Sequence, residues 1–348
     1  MNETSVNNAE TKPDSGIIGF QKEIADIRTA IAGFEMGENL NIAIISEPFS
    51  GKTALINEIE QNITQKATRF SFSSFVHDIS EITQILDSNR IVILDHCEFI
   101  YTRRIGGFDV LEDFLKLTVS QNNMFITTWN LYSWNYLEKV SNISKFFPVQ
   151  IYLPIMKADE LKEYILSSYD KDEIKFIEDV ASEKEKLIKF VNYPFTLKSL
   201  NKTINIPFLK INKIVLEMKV SHNEAKVTVE ELIFDRIHHI SNGNLGVANV
   251  LWHNGLEYPA IRPSRIKDFS FNIDIDLNEA YILGIILSVK SIKKDELSEI
   301  AGSEFNIDEI LFRLVTLGLI SLTEGCCTLK PEALHSIVDY LKKSRLVW

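Results

Sequence analysis

The stretch Ile42-Ala43-Ile44-Ile45-Ser46-Glu47-Pro48-Phe49-Ser50-Gly51-Lys52-Thr53 runs an apolar strand straight into a Gly-Lys-Thr turn, and a helix over Thr53 to Gln61 follows it. In such a turn consecutive backbone N–H groups and the positive end of the helix converge on phosphate. The cradle is then Ser46, Glu47, Pro48, Phe49, Ser50, Gly51, Lys52 and Thr53. Lys52 would reach the β- and γ-phosphates as a point charge, and the Thr53 hydroxyl would take one position on a Mg²⁺. The pattern G-x-x-x-x-G-K-[ST] is met except at its first position, where Ser46 stands for glycine. Serine can serve at a strand end with ordinary backbone angles, and Gly51 supplies the close backbone approach.

Further along, Arg90-Ile91-Val92-Ile93-Leu94-Asp95-His96-Cys97-Glu98 places four apolar residues before an acid, the pattern of a strand buried on both faces. A carboxylate at the C-terminal end of a parallel strand beside a phosphate loop can hold Mg²⁺ through water, so Asp95 is the metal-side acid. His96 follows where a water-orienting glutamate often stands, and Glu98 is the nearest carboxylate for that role. Strand signals at Arg69 to Phe75, Met124 to Thr128 and Val149 to Leu153, with helical spacing over Lys22 to Phe34 and Val110 to Ser120, complete an α/β alternation. Such alternation predicts a parallel sheet with the ligand at the strands' C-terminal ends.

These motifs, in this order, resemble the AAA+-related and STAND-type P-loop ATPases, including archaeal relatives with origin-recognition-like architecture. Gly16-Ile17-Ile18-Gly19-Phe20-Gln21-Lys22-Glu23 is similar to the segment that packs on adenine in that family, with Phe20 in place of its usual Arg. Asp95 to Glu98 resembles the end of the family's Walker B strand. Phe125-Ile126-Thr127-Thr128-Trp129-Asn130 resembles the next strand and its polar tip facing the γ-phosphate. Ile151 to Ile155 with Glu160-Leu161 resembles the strand and helix that close the nucleotide domain, and Gly243-Asn244-Leu245-Gly246-Val247-Ala248 the helix start of a lid. The resemblance implies ATP and Mg²⁺ as cofactors, Ile18 and Gly19 beside the base, Thr128 and Asn130 as γ-phosphate sensors, and a capacity to oligomerise on ATP. With His96 after Asp95 and no convincing arginine after Gly243, it implies slow rather than fast hydrolysis.

The chain has 348 residues, 45% of them hydrophobic, enough to bury two or three ordinary cores. The longest apolar runs, such as Tyr281 to Val289, fall far short of the roughly 20 residues a membrane span needs. Met1 to Ser15 is polar and reads as a disordered tail without signal-peptide character. Three cysteines without metal-ligand spacing read as reduced thiols in a cytoplasmic protein. A net charge of −11 argues against broad attraction to nucleic acid. The seven histidines form no i,i+4 metal pair, so protease or nuclease chemistry has no support.

Residues 16–156 are therefore expected to form the P-loop domain, 157–276 a helical lid broken at Pro194 and Pro207, and 277–348 a winged helix. Lys171 to Lys189, alternating in charge, reads as a solvated helix face, and Lys210 to Val220 mixes strand and helix signals. The winged helix is read from helices at Ala280 to Val289, Lys294 to Ala301 and Ile307 to Leu317 and a hairpin around Glu324-Gly325. Its third helix carries Asp308, Glu309 and one basic residue, Arg313, which favours a protein partner over DNA; Lys342, Lys343 and Arg345 are the counter-argument. Two further readings stay open: Arg103 or Arg104 could reach a phosphate, its own or a neighbouring subunit's, and Trp129, Trp134 and Tyr136 could stack on a base.

Overall fold

The computed structural model describes residues 18–38, 40–63, 67–84, 86, 91–120, 122–179, 188–197, 202–211, 228–269, 271 and 273–347. The tail expected at Met1 to Ser15 lies outside them, as does Lys210 to Val220 beyond Ile211.

Five parallel strands form the central sheet: β1 (Ile42–Ser46), β2 (Ala67–Ser71), β3 (Ile91–Asp95), β4 (Met124–Asn130) and β5 (Val149–Tyr152), in the order β2-β3-β4-β1-β5. Between them run α1 (Gln21–Glu35), α2 (Lys52–Asn62), the single turn α3 (Ser80–Thr83), α4 (Asp109–Ser120) and α5 (Leu131–Ser141). β1, β3 and β4 are buried along their whole length, which is why they read as continuous apolar runs. Side chains nevertheless alternate between faces: Ile42, Ile44, Ile91 and Ile93 join α1 and α2 in one core, while Ala43, Ile45, Val92 and Leu94 join α4 and α5 in another. The order places β4 between the loop strand and the acid strand, with Ile44 in register with Thr128 and Ser46 with Asn130. The polar tip of β4 thus lies between Lys52 and Asp95.

Beyond the sheet come α6 (Ala158–Leu166), β6 (Lys175–Phe176), β7 (Ile188–Leu197), β8 (Lys202–Ile211), α7 (Val229–Ser241), α8 (Leu245–Gly255), β9 (Leu256–Glu257) and β10 (Ala260–Ile261). Here the structure corrects the expectation of broken helices. Pro194 and Pro207 stand inside β7 and β8, which pair antiparallel with Pro194 opposite Asn205 and Asn192 opposite Pro207. Both strands of an isolated pair are edges, so a residue without an N–H is tolerated there. Within the charged run, Lys171 to Asp179 is turn and short strand rather than helix, with Ile174 packed in the core, and Ile188 and Lys189 begin β7.

The last unit is α9 (Leu277–Val289), β11 (Ser291–Lys293), α10 (Lys294–Ala301), α11 (Ile307–Thr316), β12 (Ile320–Thr323), β13 (Cys326–Leu329) and α12 (Leu334–Lys343), with a sheet ordered β11-β13-β12. An Asp276–Glu279 capping box starts α9. Its core is continuous with that of α4 and α5. Among the described residues, no helix is long and apolar enough to cross a membrane.

Candidate phosphate-binding site

Lys52 opens α2 and turns back onto its own loop. Its Nζ donates to Ser46 O at 3.1 Å, to Ser46 Oγ at 3.1 Å and to Glu47 O at 3.4 Å. The hydroxyl that departs from the glycine pattern is therefore one of three acceptors for the lysine. Burial lowers the Lys52 pKa; the Glu98 carboxylate opposes the shift and the Lys290 ammonium adds to it. Gly51 caps α2 at φ 92°, as the turn requires. Phe49 also has a positive φ, 68°, which costs a non-glycine residue on the order of 1 kcal/mol or more.

The start of α8 clamps this strained loop. Gly246 N donates to Phe49 O at 3.0 Å, and a Cβ on Gly246 would lie 2.5 Å from the Phe49 Cβ, so the approach needs glycine. Asn244 donates from Nδ2 to Pro48 O at 2.9 Å while its Oδ1 caps α8 at Val247 N. From α5, the Tyr132 hydroxyl donates to Glu47 Oε1 at 2.8 Å.

At the end of β3, Asp95 is fully buried. Its Oδ1 accepts from Thr128 Oγ1 at 2.6 Å and its Oδ2 from Arg69 Nη2 at 3.1 Å. Glu98 is 1% exposed and doubly held: Oε1 lies 3.0 Å from His96 Nδ1, and Oε2 accepts from Asn130 N at 3.1 Å. Burial works against a charged His96, but the hydrogen bond and charge of Glu98 outweigh it and raise the ring's pKa. Asn130 caps α5 through Oδ1 and donates from Nδ2 to Leu287 O in α9 at 2.8 Å. Thr128 and Asn130, the expected sensors, thus each join the carboxylates to another element.

The C-terminal unit closes one side. Lys290, which ends α9 at φ 68°, carries its ammonium 4.9 Å from the centroid of the Phe49 ring. An open cleft of about 210 Å³ results, lined by residues 48–53 with His96, Glu98, Asn130 and Lys290. Two lysines and a helix N-terminus face one cleft, charge and backbone donors of the kind that suit an anion. Ile18 and Gly19 lie behind the loop rather than in this cleft: a Cβ on Gly19 would lie 2.9 Å from Met156 Cε, and the Phe20 ring leans on Gly51. Thr53 is exposed at the cleft, whereas Asp95 does not border it. A Mg²⁺ shared between them does not fit this arrangement, because Asp95 is sealed from the cleft and the Arg69 guanidinium already stands beside its Oδ2.

Burial and pairing bear on the two open readings. Arg103 donates to Ser288 Oγ at 2.7 Å and lies 4.3 Å from the Tyr136 ring centroid, and Arg104 pairs with Glu299 at 2.6 Å, so both are engaged within the chain. Trp129 and Trp134 are buried and pack edge-on with each other and with Phe147, leaving no face for a base. Lys290 and Arg69 are the site residues that sequence reasoning missed. Neither sits in a motif; only the docking of α9 and the pairing of β2 with β3 bring them in.

Strand order, loop and cleft define an α/β P-loop nucleotide-binding fold. Among solved structures the chain is similar to the RuvB Holliday junction branch migration motor of Thermotoga maritima, with a TM-score of 0.40 and 14% identity over 92% of this chain and 95% of that one. It is also similar to the Orc1 protein of Aeropyrum pernix in complex with DNA, with a TM-score of 0.40 and 13% identity over 96% of each chain. No family model and no curated protein matches the chain.

Proposed function

We propose that this protein is an ATP- and ADP-binding switch of the AAA+/STAND type, a slow ATPase that relays nucleotide state from its P-loop to a C-terminal winged helix. The observation that carries this is Lys290, a residue of the C-terminal unit, lining the same cleft as Lys52. Phosphate entering the cleft would meet both cations, so its binding energy would differ between docked and undocked positions of that unit. The docking contacts begin at the same residues: Asn130 to Leu287 O, Ser133 Oγ to Ser288 O at 2.8 Å, and Arg103 to Ser288. Lys52 would leave Ser46 for phosphate, Thr128 and Asn130 would sense it, and Glu98 would have to leave His96 or Asn130 N before orienting a water. That requirement supports slow turnover.

A protein partner is favoured over DNA for the winged helix. Phe312 and Val315 of α11 are exposed, while Arg313 is taken by Asp274 O at 2.9 Å and Glu279 at 3.2 Å. One alternative, an origin-recognition-like DNA-binding ATPase, would use Lys342, Lys343 and Arg345 and would show salt-dependent duplex affinity. The other, a nonhydrolysing nucleotide-stabilised protein-interaction scaffold, would bind ATP without turnover, and Glu98→Gln would change nothing. The decisive experiment is calorimetric titration of ATP and ADP into wild type, Lys52→Ala and Lys290→Met, with phosphate release followed alongside. Binding lost in the first variant and weakened about ten-fold in the second is expected; wild type that binds neither nucleotide overturns the reading.

A further inference from the structure

Arg69 has no part in that reading, yet it makes three side-chain contacts, one at the end of the acid strand and two on α2. β2 is an edge strand, and Arg69 pairs there with Ile93. Its Nη1 donates to Asn57 Oδ1 at 2.5 Å and to Glu60 Oε2 at 3.2 Å, and its Nη2 donates to Asp95 Oδ2. Thr53, Asn57 and Glu60 follow one another at helical spacing along an exposed stripe of α2. The guanidinium therefore bridges the helix that starts at the loop and the acid that the sequence offers to Mg²⁺.

The energetics favour this cation over a metal. A carboxylate as buried as Asp95 requires an opposite charge and hydrogen bonds, and the geometry supplies both from Arg69 and Thr128. Arginine stays protonated at any working pH, so the compensation is permanent. Mg²⁺ dehydrates reluctantly and normally keeps several waters, which calls for an open carboxylate oxygen in a wet site. Asp95 is sealed from the cleft, and displacing Arg69 from it would break contacts to Asn57 and Glu60 as well.

We propose that Arg69 is the resident cation of Asp95, standing where a divalent ion would otherwise stand, so that the cleft binds nucleotide phosphate through Lys52 and Lys290 without requiring Mg²⁺. This rests on the nucleotide reading above. The test is titration of ADP and ATP into the full chain in buffer with Mg²⁺ and in buffer with EDTA, for wild type and Arg69→Gln. Mn²⁺ bound alongside ADP is measured on both by electron paramagnetic resonance. Wild type is expected to bind with affinities within about five-fold in the two buffers and to retain no Mn²⁺ with ADP. Arg69→Gln, which frees Asp95 Oδ2, is expected to bind at least about ten-fold more tightly with Mg²⁺ than without it and to retain Mn²⁺. Wild type that loses more than about five-fold in EDTA overturns the proposal, whether or not the variant folds. So does a folded variant whose affinity ignores the metal. Wild type that binds no nucleotide in either buffer overturns the nucleotide reading first and the proposal with it.

Discussion

Replacing Asn130 tests whether the C-terminal unit is held on the sheet through the site itself. The side chain does two jobs at once, capping α5 at Tyr132 N and satisfying the Leu287 carbonyl, one of the acceptors left unpaired at the end of α9. Asn130→Ala removes the cap, worth about 1 kcal/mol. It also leaves a buried carbonyl unpaired, worth a further 1–3 kcal/mol or so. The expected loss is therefore roughly 2–4 kcal/mol in urea unfolding followed by tryptophan fluorescence. Asn130→Asp separates the two contributions. Its carboxylate keeps an acceptor for Tyr132 N but sets an oxygen against the Leu287 oxygen and a second negative charge near Glu98, whose Oε2 already takes the backbone N–H at this position. Hydrogen exchange should then accelerate in α9 while the first turn of α5 stays protected. If Asn130→Ala costs less than about 0.5 kcal/mol, or if exchange in α9 is unchanged in Asn130→Asp, the docking argument is refuted.

Two other outcomes follow from close contacts and burial. Gly246→Ala should drive α8 off the loop, because its Cβ would fall 2.5 Å from that of Phe49; calorimetry should show weaker ATP binding with little change in helix content by circular dichroism. Of the three cysteines, the partly exposed Cys326 should react first with a thiol reagent, because burial raises the Cys97 thiol well above its usual value and that of Cys327 to about 11. Raised values mean protonated, unreactive thiols in the folded chain up to that range. Cys97 and Cys327 should therefore label at pH 8 only on unfolding; prompt labelling of the native chain would contradict their placement.

Sequence alone determined the parts of this protein whose signals are local. The strand–Gly-Lys-Thr–helix order, the apolar run ending in Asp95 and the alternation of strands with amphipathic helices depend on neighbours along the chain, and the elements they announced are present. The same holds for the hairpin at Glu324-Gly325, where a turn of fixed chemistry joins two short strands. The β7–β8 hairpin escaped because two prolines in a charged region read as helix breaks, and only pairing between the two strands made their alternation count. The state of the site was likewise decided in three dimensions. Lys52 on Ser46, Glu98 between His96 and Asn130, Arg69 on Asp95 and Lys290 over Phe49 join residues from separate elements. Burial made partners necessary for Lys52, Asp95 and Glu98, since a charge sealed from water must be met by whatever group the fold brings within reach. Motif spacing placed Lys52, Glu98 and Asn130 near the cleft, but the packing of β2 and α9 paired Asp95 with Arg69 and brought Lys290 to the cleft wall.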